Sequence, residues 1–236
     1  MDKVVFKFTL NDKDYIAPSG WCDIKFSKFL AYLKDIAPLM PKCLVNVHSS
    51  DNPLLEYEKL SKTDLSKCYE FYAHYVGFWF NIPIALIRES MDIKQHLEPA
   101  YFAIQAALYT SKSTFDDTFN GFEIQGIEYV LPLRHMHGCT VAEFTEAAQF
   151  EANMEKVENG NYLAMLDVMV VLCRPKGEPY DYNEAVHNRR KRLFSDLTMD
   201  VIFNVGFFLL KLRHTLNLNL LIYGMMQDKA AQEARQ

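Results

Sequence analysis

The sequence lacks the short motifs by which several enzyme classes are recognised. Gly121 and Gly126 have the spacing of a phosphate-binding loop. The residues that follow are Ile127 and Glu128, where such a loop requires Lys and then Ser or Thr. No serine stands in a Gly-x-Ser-x-Gly elbow, and the seven histidines are scattered without an evident nucleophile. We therefore expect a non-enzymatic protein with no cofactor and no catalytic residues.

Paired cysteines, an export signal and an uninterrupted membrane span are also missing. The five cysteines are odd in number and contain no Cys-x-x-Cys pair, which favours a reducing compartment. Residues Met1–Thr9 have no long apolar run, so we expect no export. The apolar stretch Val201–Met226 carries Lys211, Arg213 and His214 in its middle, where charge is costly in a bilayer. We expect this stretch to be a core or interface helix and the protein to have no membrane partner.

Positive charge is scarce as well. The formal net charge is -5, whereas binding to a nucleic-acid backbone depends on clustered Lys and Arg. One cluster exists, Arg189–Arg192, but no aromatic side chains alternate with it. We interpret it as the solvated face of a helix and expect no nucleic-acid partner.

Apolar residues are plentiful and their spacing predicts a mainly helical α+β protein. Hydrophobic residues make up 50% of the chain, enough for a packed core. Near the start, two apolar runs flank Asn11 and Asp12, which predicts a β-hairpin. Asp23 then stands where an N-cap residue would, ahead of apolar residues spaced three or four apart. The segment Cys43–His48 contains two β-branched valines and is predicted to be extended.

Helices are predicted for much of the remaining chain. The run Tyr69–Phe80 is apolar almost all round, so we expect it to be buried on several sides, with Pro83 ending or offsetting its helix. Thr140 and Glu143 form the pattern of a capping box. The predicted helical segments are 63–80, 84–89, 99–109, a helix that starts after Thr140, 162–172, 184–194 and a final helix capped by Thr198.

The opening pattern returns in the second half of the chain. Phe8, Leu10, Asn11, Asp12, Asp14, Tyr15 and Pro18 are matched by Phe122, Ile124, Gln125, Gly126, Glu128, Tyr129 and Pro132. Each matched pair is 114 positions apart (122 − 8 and 132 − 18). A capped helix is predicted to follow each hairpin. The pattern predicts an internal duplication, with an N-terminal half over residues 1–112 and a C-terminal half over residues 113–236.

Two groups of residues could hold a metal ion. His135, His137 and Cys139 alternate and have the ligand chemistry of a zinc site, but no fourth ligand lies at a usual spacing. Asp116 and Asp117 are adjacent carboxylates in a polar segment. We interpret the first group as a polar connection and the second as solvated charge, and we expect no metal site. A dispersed zinc enzyme built on the first group remains an alternative.

The most distinctive polar segment is the loop from Arg174 to Tyr182. It combines an arginine capable of bidentate pairing with two prolines and two tyrosines. A contact surface for a partner is one interpretation, and a rigid loop whose rings pack on neighbouring helices is the other. Together with the hairpin aromatic residues, this loop supplies the predicted partner-binding residues, namely Phe8, Tyr15, Trp21, Tyr129, Arg174, Tyr180 and Tyr182.

Several of these features resemble a group of tailed-bacteriophage proteins in the tail-assembly-chaperone category. The opening residues that carry the resemblance are Phe8, Leu10, Asn11, Tyr15, Pro18, Trp21, Asp23 and Ile24. The later ones are the helical middle Phe78–Ile87, the recurrent hairpin Phe122–Pro132, and Cys173, Arg174, Pro175 and Tyr180 before an Arg-rich helix. The aromatic run Tyr69–Phe80 departs from what a plain chaperone would show.

The resemblance implies a protein that acts through protein–protein contacts during tail or virion assembly, in the host cytoplasm. Its partners would be other phage structural or assembly proteins, or further copies of this chain. The alternative that the resemblance leaves open is a permanent virion component such as a connector, ring or tail protein. The two differ in self-association, because permanent phage parts commonly form closed rings.

Overall fold

The computed structural model describes residues 6–110, 116, 118–132, 140–143, 145–146, 162–181 and 183–208. The chain divides into two compact units, unit 1 (Met1–Lys112) and unit 2 (Ser113–Gln236). The protein is 63% helical, and its described residues form two small antiparallel sheets, which confirms the prediction of a mainly helical α+β fold. Among the described helices, none is long and apolar enough to cross a bilayer.

Unit 1 begins with the predicted hairpin. Strand β1 (Lys7–Leu10) pairs with β2 (Lys13–Ile16) in antiparallel register, with Phe8 opposite Tyr15. The two turn residues, Asn11 and Asp12, have φ values of 50° and 59°. Positive φ at both central positions matches the right-handed twist of the strands, and Asn and Asp tolerate it better than most residues.

The helices of unit 1 follow the apolar spacing of the sequence. They are α1 (Phe26–Asp35), α2 (Lys42–His48), α3 (Pro53–Glu58), α4 (Lys62–Phe80), α5 (Ile84–Ser90) and α6 (Glu98–Thr110). The Ser61 side chain caps α4 by accepting a hydrogen bond from Asp64 N. At the other end, Asn81 in the left-handed conformation terminates α4, and α5 starts directly after Pro83. The predicted interruption at Pro83 is confirmed.

Two local predictions for unit 1 are wrong. The segment Cys43–His48 belongs to α2 rather than to an extended strand, because helical spacing lets Leu44 and Val47 share one buried face. Asp23 does not cap α1, whose N-cap is Lys25. The Asp23 carboxylate instead accepts hydrogen bonds from the backbone and hydroxyl of Ser19, both at 2.7 Å.

The core of unit 1 is built from the aromatic run on α4. Tyr72 and Tyr101 stack with ring centroids 3.9 Å apart, and Phe71 and Tyr75 pack around the same pair. All four rings are buried. The expectation that the run is buried on several sides is therefore confirmed, and aromatic pairs of this kind stabilise beyond the area that they bury.

Unit 2 contains a hairpin with the same register. Strand β3 (Gly121–Ile124) pairs with β4 (Ile127–Val130), with Phe122 opposite Tyr129. A third strand, β5 (Arg174–Pro175), pairs with β4 on its other side. The sequence predicted only a stiff loop at β5, because a two-residue strand has no periodicity to detect.

The helices of unit 2 include α7 (residues 141–143 and 145–146), α8 (Tyr162–Leu172), α9 (Glu184–Phe194) and α10 (residues 199–208). The bounds of α8 and α9 agree with the prediction. The capping box at the start of α7 is also confirmed, because Thr140 N donates to Glu143 Oε2 at 2.6 Å and Glu143 N donates to Thr140 Oγ1 at 3.2 Å.

Some predicted residues lie outside the described residues, namely His135, His137, Cys139, Asp117 and Tyr182. Asp116 is exposed, and its carboxylate accepts hydrogen bonds from the backbone and hydroxyl of Thr118. Among the residues that the structure describes, no group of three or more His, Cys, Asp or Glu side chains could hold a metal ion.

Candidate functional site

The two hairpins present the same aromatic arrangement on their inner faces. In unit 1, Phe8 stacks on Tyr15 with centroids 5.3 Å apart, and Phe80 packs edge-on against Phe8 at 5.0 Å. In unit 2, the stacked pair is Phe122 and Tyr129 at 5.6 Å, and Phe194 packs edge-on against Phe122 at 5.4 Å. Phe80 and Phe194 are 114 positions apart, the same separation as the hairpin residues (194 − 80).

This arrangement fixes where several predicted partner-binding residues lie. Phe8, Tyr15 and Tyr129 are buried within their own units and form part of the core. Trp21 is half-buried in a 3-10 turn, with its ring edge-on to Phe29 at 5.6 Å. A partner that reaches these hairpins must therefore contact their strand edges or outer faces, because the inner rings are already covered.

The strand register identifies which backbone groups point away from each hairpin. Ala17 N donates to Phe6 O at 2.9 Å, so these two residues form a hydrogen-bonded pair. From this pair toward the turn, non-hydrogen-bonded and hydrogen-bonded pairs alternate. By this alternation, the N–H and C=O groups of Asp14 and Ile16 point outward from β2. The same alternation directs those of Glu128 and Val130 outward from β4.

In unit 2 the outward edge of β4 is occupied by the chain itself. Val130 is opposite Arg174, and Lys176 N donates to Glu128 O at 2.9 Å. The Lys176 ammonium also contacts the Glu128 carboxylate at 3.0 Å. The segment that contains β5 therefore pairs with Val130 and donates a hydrogen bond to the Glu128 carbonyl, and it adds a cross-strand charge pair.

Arg174 connects this covering strand to α7. Its guanidinium nitrogen Nη2 lies 2.8 Å from Glu143 Oε1, and the Glu143 side chain is completely buried. Glu143 is the third residue after the N-cap of α7, so its carboxylate both closes the capping box and compensates the arginine. A buried carboxylate of this kind requires a cation, and β5 supplies it.

Further contacts hold the rest of the segment in place. Glu178 forms an ion pair with the buried Arg190 of α9, so the interpretation of Arg189–Arg192 as a solvated helix face is wrong for Arg190. The Tyr180 hydroxyl donates to the carboxylate of Glu146 on α7. Of the predicted partner-binding residues in this loop, Arg174 and Tyr180 thus contact helices of their own unit. The interpretation of a rigid loop packed on neighbouring helices agrees with these contacts.

In unit 1 the corresponding edge of β2 differs from that of β4. In the part of the chain that the structure describes, β2 pairs only with β1. The Ile16 side chain, on the outer face of β2, is 66% exposed. A pocket of about 280 Å³ lies along this end of the strand, and its lining residues are Ile16, Ala17, Pro18, Asp23, Ile24, Lys28 and Trp79. We call this pocket the β2 pocket.

The charge in the β2 pocket comes from Lys28 and Asp23. The Lys28 ammonium donates to Trp79 O at 2.8 Å and lies 5.6 Å from the centroids of the Phe78 and Trp79 rings. Desolvation by burial lowers the pKa of Lys28. Among the described residues, no carboxylate forms an ion pair with it. Asp23 is exposed, and Ser19 donates two hydrogen bonds to its carboxylate.

The residues Ile16, Lys28 and Glu143 are not predicted as site residues from the sequence. A signal was nevertheless present, because Lys28 and Glu143 each stand three residues after the N-cap of the helix that follows a hairpin. That equivalence becomes visible only when the N-caps are known to be Lys25 and Thr140. The sequence placed the first cap at Asp23.

Comparison of the chain with protein-family models, with curated proteins and with solved structures finds no significant match.

Proposed function

We propose that this chain is a non-enzymatic binding protein that attaches to an extended segment of another protein by strand addition at the open edge of β2. The observation that carries the proposal is the difference between the two hairpins. The edge of β4 is covered by β5, whereas β2 presents the same outward groups with no third strand among the described residues. An unpaired strand edge is a template for pairing with another chain.

The proposed biological setting is tail or virion assembly in a tailed bacteriophage, with other phage structural or assembly proteins as partners. The resemblance of the hairpins, of the helical middle and of the Arg174–Tyr180 segment to tail-assembly chaperones supports this setting. We propose a transient chaperone or adaptor that works in the host cytoplasm. A permanent ring, connector or tail component is the second candidate, favoured by the exposed apolar side chains of Val45, Leu54 and Leu55 on α2 and α3.

Two matched proline variants test the strand-addition part. Ile16 and Lys7 are directly opposite each other, and the backbone N–H of each points away from the other strand. Ile16→Pro removes a donor from the β2 edge, and Lys7→Pro removes the equivalent donor from the β1 edge. Each variant is co-expressed with candidate tail and structural proteins of a tailed bacteriophage, and complexes are isolated through a tag on the chain.

We expect Ile16→Pro to abolish the complex and Lys7→Pro to retain it. Equal binding by both variants would show that the partner does not bind at the β2 edge. Light scattering on the purified full-length protein then separates the two candidates. A monomer or weak dimer over a wide concentration range supports the chaperone or adaptor, and a stable closed oligomer supports the permanent component.

A further inference from the structure

A helix follows each hairpin, and the third residue after its N-cap carries opposite charge in the two units. In unit 2 this residue is Glu143, and the strand that covers β4 supplies Arg174 to compensate it. In unit 1 the residue is Lys28, a half-buried cation with no ion pair to a carboxylate among the described residues. The β4 edge therefore serves as a template, in which a third strand covers the edge and brings the counter-charge for the residue in the first turn of the helix.

The β2 pocket lies where such a covering strand would run. Its lining residues Ile16, Ala17 and Pro18 correspond, 114 positions on, to Val130, Leu131 and Pro132. Val130 is opposite Arg174, and continuing this register places Cys173 beside Leu131. A strand added to β2 in the same register would therefore place one residue opposite Ile16 and the preceding residue over the β2 pocket.

Covering the β2 pocket would remove Lys28 further from water. A buried ammonium without a counter-charge is strongly unfavourable, so the covering strand must bring a carboxylate. Asp23 cannot take this role alone, because it is exposed and its carboxylate already accepts two hydrogen bonds from Ser19. The same exposure lets solvent screen its repulsion of an incoming carboxylate. Asp14 of β2 is equivalent to Glu128 of β4, which contacts Lys176. A cation is therefore favoured in the added segment two residues after the one opposite Ile16.

Resting on the strand-addition function proposed above, we propose that the β2 edge selects an antiparallel extended segment with an Asp or Glu residue opposite Ile16, whose carboxylate pairs with Lys28. The partner is a segment of another protein that pairs with β2 as β5 pairs with β4, but with an acidic residue at the position of Arg174. A lysine two residues after the acidic residue completes the pattern by contacting Asp14.

Two synthetic peptides test this selectivity. Both span residues 171–178 of this chain, one with the natural sequence and one with Arg174→Glu. Each is titrated into the full-length protein under reducing conditions, and binding is followed by the amide NMR signals of Asp14 and Ile16. We expect the Arg174→Glu peptide to bind about tenfold more tightly than the natural one, because it gains a charge-assisted hydrogen bond.

Variants of the protein identify the group responsible. Lys28→Glu should reverse the preference, and Lys28→Met, which introduces no buried anion, should abolish it. Lys34→Glu makes the same charge change in the last turn of α1, at an exposed position. It should leave the preference intact. Circular dichroism establishes that each variant retains its helical content.

The outcomes separate the selectivity from the underlying function. If both peptides bind with equal affinity and Ile16→Pro abolishes binding, strand addition stands and the carboxylate preference is wrong. A preference that survives Lys28→Met also overturns the proposal. If neither peptide shifts the Asp14 and Ile16 signals, the β2 edge does not accept strands, and both proposals fail.

Discussion

The guanidinium of Arg174 lies 2.8 Å from the carboxylate of Glu143, and this contact joins the covering strand of unit 2 to the first turn of a helix. Glu143 is completely buried, and Arg174 is 17% exposed. The pair therefore differs from a second charge pair of the same segment, between Lys176 and Glu128, whose side chains are 69% and 58% exposed. Burial, rather than the number of charge pairs, determines which contact stabilises the strand.

This difference predicts unequal effects of two similar substitutions. Arg174→Met should lower the free energy of unfolding by about 3 kcal/mol, because it leaves the Glu143 carboxylate buried without a counter-charge. Lys176→Met removes an exposed pair and should cost less than about 1 kcal/mol. Urea denaturation of both variants measures the difference. Equal effects would contradict the structural role given to the Arg174 contact.

The strand edges predict a second pair of unequal effects. Val130→Pro removes an N–H that faces β5, and the loss of this ladder bond should destabilise the protein by about 2 kcal/mol. Ile16→Pro changes the corresponding residue of β2, whose N–H faces outward, and should cost less than about 1 kcal/mol. Thermal denaturation followed by circular dichroism tests both. A large destabilisation by Ile16→Pro would mean that the β2 edge is already engaged.

The hairpins were predictable from sequence because their signals are local. Asn11 and Asp12 favour positive φ, and apolar residues alternate on either side of them. The recurrence at 114 positions then predicted the second hairpin. The contacts of Phe80 and Phe194 extend the same spacing to the helices, which favours the proposed internal duplication.

The candidate site was not predictable in the same way. The pairing of Arg174 with Val130 joins residues that are distant in sequence, and a two-residue strand carries no periodic signal. In α2, burial of Leu44 and Val47 on one helical face overrides the β propensity of the valines. The aromatic residues of the hairpins were expected to contact a partner, but the composition of the sequence cannot tell a core ring from an interface ring.

The inner aromatic clusters predict a third set of effects. Phe194→Ala and Phe80→Ala should each cost about 3 to 5 kcal/mol, because both rings are buried against a stacked hairpin pair. Phe102, which is 48% exposed, provides the control, and Phe102→Ala should cost much less. Urea denaturation gives the three values. Similar costs for Phe102→Ala and Phe194→Ala would contradict the packing described here.

The thiol environments predict a clear order of chemical reactivity. Burial raises the pKa of Cys68 to about 12 and also raises that of Cys173, so both remain protonated at pH 8. Cys22 is exposed. Iodoacetamide at pH 8 should therefore label Cys22 in the folded protein and label Cys68 and Cys173 only after denaturation. Mass spectrometry of the digested protein identifies the labelled residues, and rapid labelling of Cys68 in the folded protein would contradict its burial.

The outer edges of the two hairpins differ, and amide hydrogen exchange followed by NMR measures this difference residue by residue. Ile16 and Val130 are equivalent residues, and the alternation of the ladder directs the N–H of each outward from its hairpin. The Val130 amide should exchange at least about a hundredfold more slowly than the Ile16 amide, because β5 covers only the former. Fast exchange at Ile16 with protection at Val130 is the predicted result. Comparable protection of the two amides would mean that the β2 edge is covered as the β4 edge is.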